Sequence, residues 1–364
     1  MKRQNVALYN PYLDVLGGGE LHILSILKVL DDADFQITIF WDENLERQIT
    51  DKFKLTFKNR LVFIPNIFRS KSSQFERLKT LSKFDYFFYV TDGSYFFSSA
   101  VHNFIFSMVP DKRLYQMNLL NNLKTKSYKF ISNSNFTAGW LDKWGIKSTV
   151  IYPYLNEDLL LPNSRETKKD DIILSVGRFF PHGHRKNHFE IIRMFKEYKK
   201  RNPRLNHFKL ILAGGVKPED QPYFEEIKRK ASDDPSVILM PNIAYQKLFG
   251  LYQKSAFYWH LTGYQVDENL HPELVEHLGI APLEAMAMGC LTFCVEAGGV
   301  KEIVVSGKNG FLFKDQEELF KMMNHVLDDK KLQTDIRNAA HLFVKESFNY
   351  MTFSKRVRQV VLNL

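Results

Sequence analysis

Cysteine is scarce in this chain: 364 residues contain two, Cys290 and Cys294. They fall four apart in one expected strand and point the same way. They read as core thiols rather than a disulfide or a metal site, and a reducing cytoplasmic setting is expected. Long apolar runs are missing too. No uncharged stretch approaches the roughly 20 residues that cross a bilayer. The opening MKRQNVALYNPYL breaks at Asn10 and Pro11 after too short an apolar run for a signal peptide. Acidic residues are in deficit, 41 Asp and Glu against 50 Lys and Arg, a formal charge of +9. That surplus suits an anionic partner: a nucleotide, an anionic membrane surface or a nucleic acid. Otherwise the balance of 45% hydrophobic and 25% charged residues is that of a soluble globular protein. The length supports about two domains, each with its own core.

Strands are expected at 5–9, 35–41, 60–64, 85–90, 103–108, 128–132 and 148–152. A second series follows at 171–176, 208–213, 237–240, 256–260, 291–295 and 310–313. Helical segments lie between many of them, including 73–83, 136–144, 219–231 and 245–254, and the chain ends in helices at 316–326, 330–345 and 350–362. Such alternation argues for parallel sheets covered on both faces. The polar stretch 153–170, with two prolines, reads as a linker between two similar α/β sheets. Ligands of such sheets sit at the carboxyl ends of the strands, here expected in a cleft between the domains.

After the first strand, Gly17, Gly18 and Gly19 open a helix. The glycines let backbone approach a ligand, but they also suit a flexible turn, and the G-x-G-x-x-G spacing of a dinucleotide binder is absent. Asp32-Ala-Asp34 resembles a metal-binding D-x-D and reads better as an ordinary polar turn. From Lys52 to Lys83 there are nine basic residues and one acidic residue, Glu76, with Phe53, Phe57, Phe63, Phe68 and Phe75 interleaved. Two readings stand side by side: a solvated face over core aromatics, or a surface for anionic lipid or a lipid-linked acceptor. Single-stranded nucleic acid favours the same mixture, but the α/β pattern contains no recognised nucleic-acid module.

The most informative stretch is EHLGIAPLEAMAMG, Glu276 to Gly289. Pro282 fits a first helical turn and Gly289 a stop. The backbone N–H groups of Gly279, Ile280 and Ala281 then become open helix-start donors, which attract a phosphate. Glu276 and Glu284 flank them. Carboxylates are poor phosphate ligands but good acceptors for the hydroxyls of a sugar or ribose. The plainer reading is a loop charge and a solvated helix face; against it, Glu284 sits in an otherwise apolar helix and needs a partner or a ligand. Arg178, and Lys186 or its neighbour Arg185, follow the strand at 171–176, where cations can hold a diphosphate. Gly298-Gly299 opens another helix and offers further backbone donors. His260 ends an apolar strand and reads first as a core histidine, though its place at a strand end also allows substrate contact.

Taken together, these residues resemble the retaining glycosyltransferases of family 4. The matching features are VGR at 176–178, Lys186, the E-x7-E pair Glu276/Glu284, EHLGIAPLEAMAMGC and GGVKEIV, in that order. In the first half, Gly17-Gly18-Gly19-Glu20, ISNSNFTAGWL and VIYPY continue the resemblance. It implies a GT-B fold, two Rossmann-like parallel-sheet domains facing a central cleft. Residues 1–154 would form the acceptor-side domain, 155–170 the linker and 171–347 the nucleotide-sugar domain, with 348–364 packing back on the first.

It also implies roles. Arg178, Lys186 and Glu276 would be catalytic. Glu284 would bind ribose, Glu276 the donor sugar, and Gly18 and Gly19 the diphosphate. The base would lie near Asn242. Asp92 and His102 are the acceptor-side candidates. Two departures matter: Arg178 and Lys186 stand eight apart, where many members have a shorter interval, and an insertion of Pro181 to His184 intervenes. The expected reaction is retaining transfer of a hexose, mannose-like by the resemblance around YWHLTGY, from a nucleoside diphosphate sugar to a saccharide or lipid-linked hydroxyl in cell-surface glycan synthesis. No metal or cofactor is expected, and contact with the inner membrane face fits the charge. The alternatives are a nucleotide-sugar epimerase of the same fold and a non-catalytic partner subunit.

Overall fold

The computed structural model describes residues 3–68, 72–161, 168–183 and 185–364. Pro162 to Thr167 of the expected linker, and His184 of the insertion, lie outside these. The chain divides into two compact units, residues 1–154 with 351–364, and residues 155–350.

The first unit alternates β1 (Asn5–Tyr9), α1 (Gly18–Asp32), β2 (Gln36–Phe40), α2 (Glu46–Phe53), β3 (Val62–Ile64), α3 (Gln74–Leu81), β4 (Tyr86–Val90) and β5 (His102–Ser107). It continues with α4 (Leu119–Thr125), β6 (Tyr128–Ser132), α5 (Asn135–Lys143) and β7 (Ser148–Val150). Every pairing is parallel, in the order β3-β2-β1-β4-β5-β6-β7. A parallel sheet must be covered on both faces, so its strands are apolar throughout. In β4 all five residues are buried.

The chain's many aromatics fill this core. Phe68 stacks on Tyr9 at 4.2 Å between ring centres and also meets Phe40, Phe87 and Phe96. Within the basic, Phe-rich stretch from Lys52 to Lys83, therefore, Phe68 is partly buried against the core, and Phe75 stands out at 75% exposed. Asp34 of the D-x-D and Asp31 just before it take local partners. Asp31 accepts from the Asn59 backbone and side chain, and Asp34 pairs with Lys58.

The second unit contains β8 (Asp170–Val176), α6 (His188–Arg201), β9 (Lys209–Gly214), α7 (Gln221–Ala231), β10 (Val237–Pro241), α8 (Tyr245–Lys254) and β11 (Ser255–His260). Then come α9 (Ile280–Ala287), β12 (Leu291–Val295), α10 (Val300–Ile303), β13 (Phe311–Phe313), α11 (Gln316–Asp328) and α12 (Lys330–Ser347). Its sheet, also parallel, runs β10-β9-β8-β11-β12-β13. Cys290 and Cys294 are buried free thiols. Leu155 to Leu160, read as linker, folds with this unit: Leu155 N–H donates to Phe348 O at 2.8 Å, and Leu159 and Leu160 are buried. The last helix, α13 (Tyr350–Val357), packs within the first unit. Its Phe353 meets His22 and Tyr154, and Arg356 donates to Val150 O.

Parallel strands share one carboxyl edge in each sheet. In the second unit this edge gathers Gly177 and Arg178, Gly214 and Gly215, Asn242, His260, and the loop leading to α9. The approach there is close enough to dictate residue type. A Cβ on Gly214 would lie 1.8 Å from the Gly177 carbonyl oxygen, and Gly177 N–H donates to Ala213 O at 2.9 Å. We expect Gly214→Ala to lower the unfolding free energy by about 3 kcal/mol, because backbone rather than a flexible side chain must yield. Urea titration followed by circular dichroism measures this.

Candidate functional site

Lys186 owes its position to two neighbours. Its stem crosses Gly177, where a Cβ would lie 2.4 Å from the Lys186 Cγ. Asn187 follows in a left-handed conformation (φ 55°), which asparagine tolerates, and its side-chain amide donates to Leu261 O at 2.7 Å. The lysine ammonium thereby reaches Glu276 Oε2 at 2.6 Å. His260, at the end of β11 and 1% exposed, brings Nε2 to the same oxygen at 2.8 Å. Burial, and secondarily the Lys186 charge, pushes the His260 pKa below its ordinary value, while Glu276 opposes this. A neutral imidazole in this position donates its Nε2 proton to the carboxylate. One oxygen thus takes an ammonium and an imidazole together. Arg185 is exposed, and its charge acts on Tyr223 instead. Between the two cations that spacing leaves open, Lys186 is the one beside Glu276.

The backbone behind Glu276 is just as tight. Gly299 N–H donates to Glu276 O at 2.6 Å, and a Cβ on Gly299 would lie 2.1 Å from His277 O. Gly298 (φ +76°) donates to Glu268 Oε2 at 2.6 Å, and Glu268 in turn pairs with Lys301. The glycine pair expected to offer open donors has these N–H groups already engaged. Its function here is close packing.

Gly279 precedes α9 in a left-handed conformation, φ 107°, with no side-chain cap. Pro282, Leu283, Ala285, Met286 and Ala287 are buried, while Ile280, Ala281 and Glu284 keep part of their surface open. Positions i, i+1 and i+4 share one helical face. The open first turn and Glu284 therefore look the same way. Glu284 Oε2 accepts from the Tyr252 hydroxyl at 2.9 Å, the partner that its apolar setting requires. Burial lifts its pKa from 4.5 to about 7, against the opposing effect of that hydrogen bond.

Arg178 is exposed and lies over the Phe180 ring, 4.5 Å from its centre. Asn242, in a left-handed conformation, spends its side chain locally: Oδ1 accepts from Val216 N at 2.8 Å and Nδ2 donates to Val216 O. It holds the loop after β9.

In the first unit, Gly18 and Gly19 lie in the first turn of α1. A Cβ on Gly19 would meet the Met108 sulfur at 2.2 Å, and the Glu20 carboxylate takes the Gly17 N–H at 2.7 Å. Asp92 follows β4 at the carboxyl edge, where it accepts from Tyr89 OH and Ser94 N–H. His102 is a correction. It begins β5, pairs in register with Tyr86, and its ring lies tilted against the Tyr86 ring, 4.8 Å between centres. This is the amino edge, six residues back along the ladder from Asp92, or about 20 Å at strand rise.

Residues 157–343 match the family described as "Glycosyl transferases group 1". The chain belongs to the group 1 glycosyl transferases. Among curated relatives it is 26% identical over 183 residues to a trehalose synthase of Thermococcus litoralis, covering 49% of this chain and 40% of that one. It is 28% identical over 233 residues to an alpha-1,3/1,6-mannosyltransferase of Mus musculus, covering 59% and 52%. The chain thus spans about half, or less, of the length of these relatives. A solved structure of Anabaena HepE in complex with UDP and glucose superposes over 100% of both chains with a TM-score of 0.70 at 17% identity, a likeness of fold. The two Rossmann-like parallel-sheet domains are those of the GT-B class.

In this group 1 chain the family match contains Arg178, Lys186, Asn242, Glu276 and Glu284, and does not extend to Gly18, Gly19, Asp92 or His102. The positioning roles of His260 and Asn187 escape sequence reading. A histidine at a strand end allows ligand contact but names no partner, and an asparagine before a helix names none either, until Glu276 and Leu261 arrive beside them.

The raised Glu284 pKa sets a pH dependence. Its folded value, about 7, exceeds the ordinary 4.5, so the protonated form favours the fold. The stability this contributes is present at low pH and declines as pH climbs from about 4.5 through 7. We expect the melting temperature of the wild type to fall relative to Glu284→Gln across that window. Parallel profiles would contradict the assignment.

Proposed function

We propose that the chain transfers a hexose from a nucleoside diphosphate sugar to an acceptor hydroxyl, with retention of configuration. One observation carries this reading: Lys186, His260 and Glu276 meet at the carboxyl edge of a parallel sheet, and that same edge leads into the uncapped start of α9 with Glu284 on its open face. Such an arrangement suits a phosphate, with hydroxyl acceptors on either side.

The C1–oxygen bond of the donor breaks and its electron pair leaves with the diphosphate. A new bond forms from the acceptor oxygen to C1, and the acceptor proton passes to a donor phosphate oxygen. Arg178 and Lys186 balance the growing charge on the leaving group as fixed cations, and the reading calls on no metal. Lys186 would turn from Glu276 toward the diphosphate. Glu276, still held by His260, would then accept from the sugar hydroxyls. Glu284 would take the ribose hydroxyls as a carboxylate, so nucleotide binding should strengthen as pH rises through about 7. Gly18, Gly19 and Asp92 are assigned to the diphosphate and acceptor. A mannose-like sugar is favoured by the resemblance around YWHLTGY and by the mannosyltransferases among the relatives. The acceptor class we favour is a saccharide or lipid-linked hydroxyl in cell-surface glycan synthesis, at the inner face of the membrane.

The test is a thermal-shift panel of nucleotide sugars followed by transfer assays. Glu284→Ala is expected to weaken donor binding about a hundredfold. Arg178→Ala is expected to lower kcat by about a hundredfold with less effect on donor KM. Near-normal transfer by both variants would sink the proposal. His260→Leu should lower kcat about tenfold with donor KM nearly unchanged, and His260→Gln, which keeps an N–H, should recover most of it.

A further inference from the structure

Helix α4 is built inside out. Its sequence, LLNNLKT, places Leu119, Leu120 and Leu123 on one face, and they are 89%, 54% and 57% exposed. At 100° per residue the opposite face carries Asn121 and Thr125, and Thr125 is the buried residue of the helix. Polar bonds, not apolar packing, hold it in place. Asn118 caps Asn121 N–H, Asn121 donates to Gln116 O, Asn122 donates to Met117 O, and Thr125 donates to Asn121 O. A helix that turns its leucines to water forfeits burial that its own sequence allows.

The flanks are of one charge. From Lys112 to Leu141 the sequence contains Lys112, Arg113, Lys124, Lys126 and Lys129 and no Asp or Glu. Lys112, Lys126 and Lys129 are exposed, and Arg113 is neutralised by Asp111. Exposed leucines and exposed lysines of one short segment, with no ion pair to these lysines among the described residues, complement a surface with an apolar interior and anionic headgroups. In the first-unit sheet the segment leaves the carboxyl end of β5, the edge that bears Asp92, before α4 begins.

We propose that α4 with its flanking lysines is the surface by which this protein docks on an anionic lipid bilayer. The leucines enter the headgroup boundary and the lysines meet the phosphates. Among the described residues no helix is long and apolar enough to cross a membrane, and this contact is peripheral. It rests on the membrane-facing part of the proposed function and names the surface that carries it.

The experiment is co-sedimentation of the full chain with phosphatidylcholine vesicles with and without phosphatidylglycerol. Binding is expected with phosphatidylglycerol alone, and should weaken with added salt. Leu119→Ser/Leu120→Ser/Leu123→Ser should lower the partition coefficient by about tenfold or more at an unchanged melting temperature. Lys112→Glu/Lys126→Glu/Lys129→Glu should lower it by a similar factor, about tenfold. Wild-type partitioning by the leucine variant, or no binding of the wild type to anionic vesicles, overturns the proposal. So does light scattering in which the wild type is a dimer and the leucine variant a monomer, since the occupant is then a second copy. The readout involves no sugar transfer, so an inactive protein that still binds vesicles would count against the catalytic reading and leave this one standing.

Discussion

Two carbonyls rest on two residues that have no side chain. The oxygens of Glu276 and His277 lie where Cβ atoms of Gly298 and Gly299 would be, and much of the second unit's edge follows from that contact. With any other residue there, the loop before α9 could not lie against the loop after β12. Glu276 would then lose its position beside His260 and Lys186. The same device recurs at Gly214 against Gly177, so that β8 and β9 end in loops pressed together. In this protein glycine acts mainly through what it leaves out: it lets one strand end pack on the next.

On that frame the charges are arranged economically. Glu276 and Lys186 are each 14% exposed, enough for a ligand to reach and too little for water to screen them fully. A pair so placed contributes little net stability once desolvation is counted. It is better understood as a stored arrangement, in which a ligand anion can draw the ammonium away while the imidazole still holds the carboxylate. Glu284 shows the complementary case. Held by one phenolic hydroxyl in apolar surroundings, it sits near its titration point, and a ligand offering further hydroxyls would favour its ionised form.

Strand and helix alternation was readable throughout, because buried parallel strands are apolar runs and the helices between them are amphipathic. The failures are particular. Helix α4 was not anticipated because its seven residues make under two turns, too few to show a helical period. Spacing left Lys186 and Arg185 undecided; what separates them is the absence of a side chain at Gly177, a long-range fact. His102 looked suitable by residue type, although the expected strand at 103–108 already put it at the amino end, as the ladder register shows. The Gly298-Gly299 pair fell in the expected place with its N–H groups already engaged, since the partners of a backbone amide are not written in its own sequence neighbourhood.

The division of the chain has a consequence for how it is made. The second unit interrupts the first: residues 155–350 emerge before α13, and α13 supplies Phe353 against His22 and Tyr154. During vectorial synthesis the earlier sheet must therefore wait with one flank uncovered while a whole domain is translated and folds. Helix α13, translated after the whole second unit, completes the domain begun first, so these two units close in the reverse of the order in which they opened.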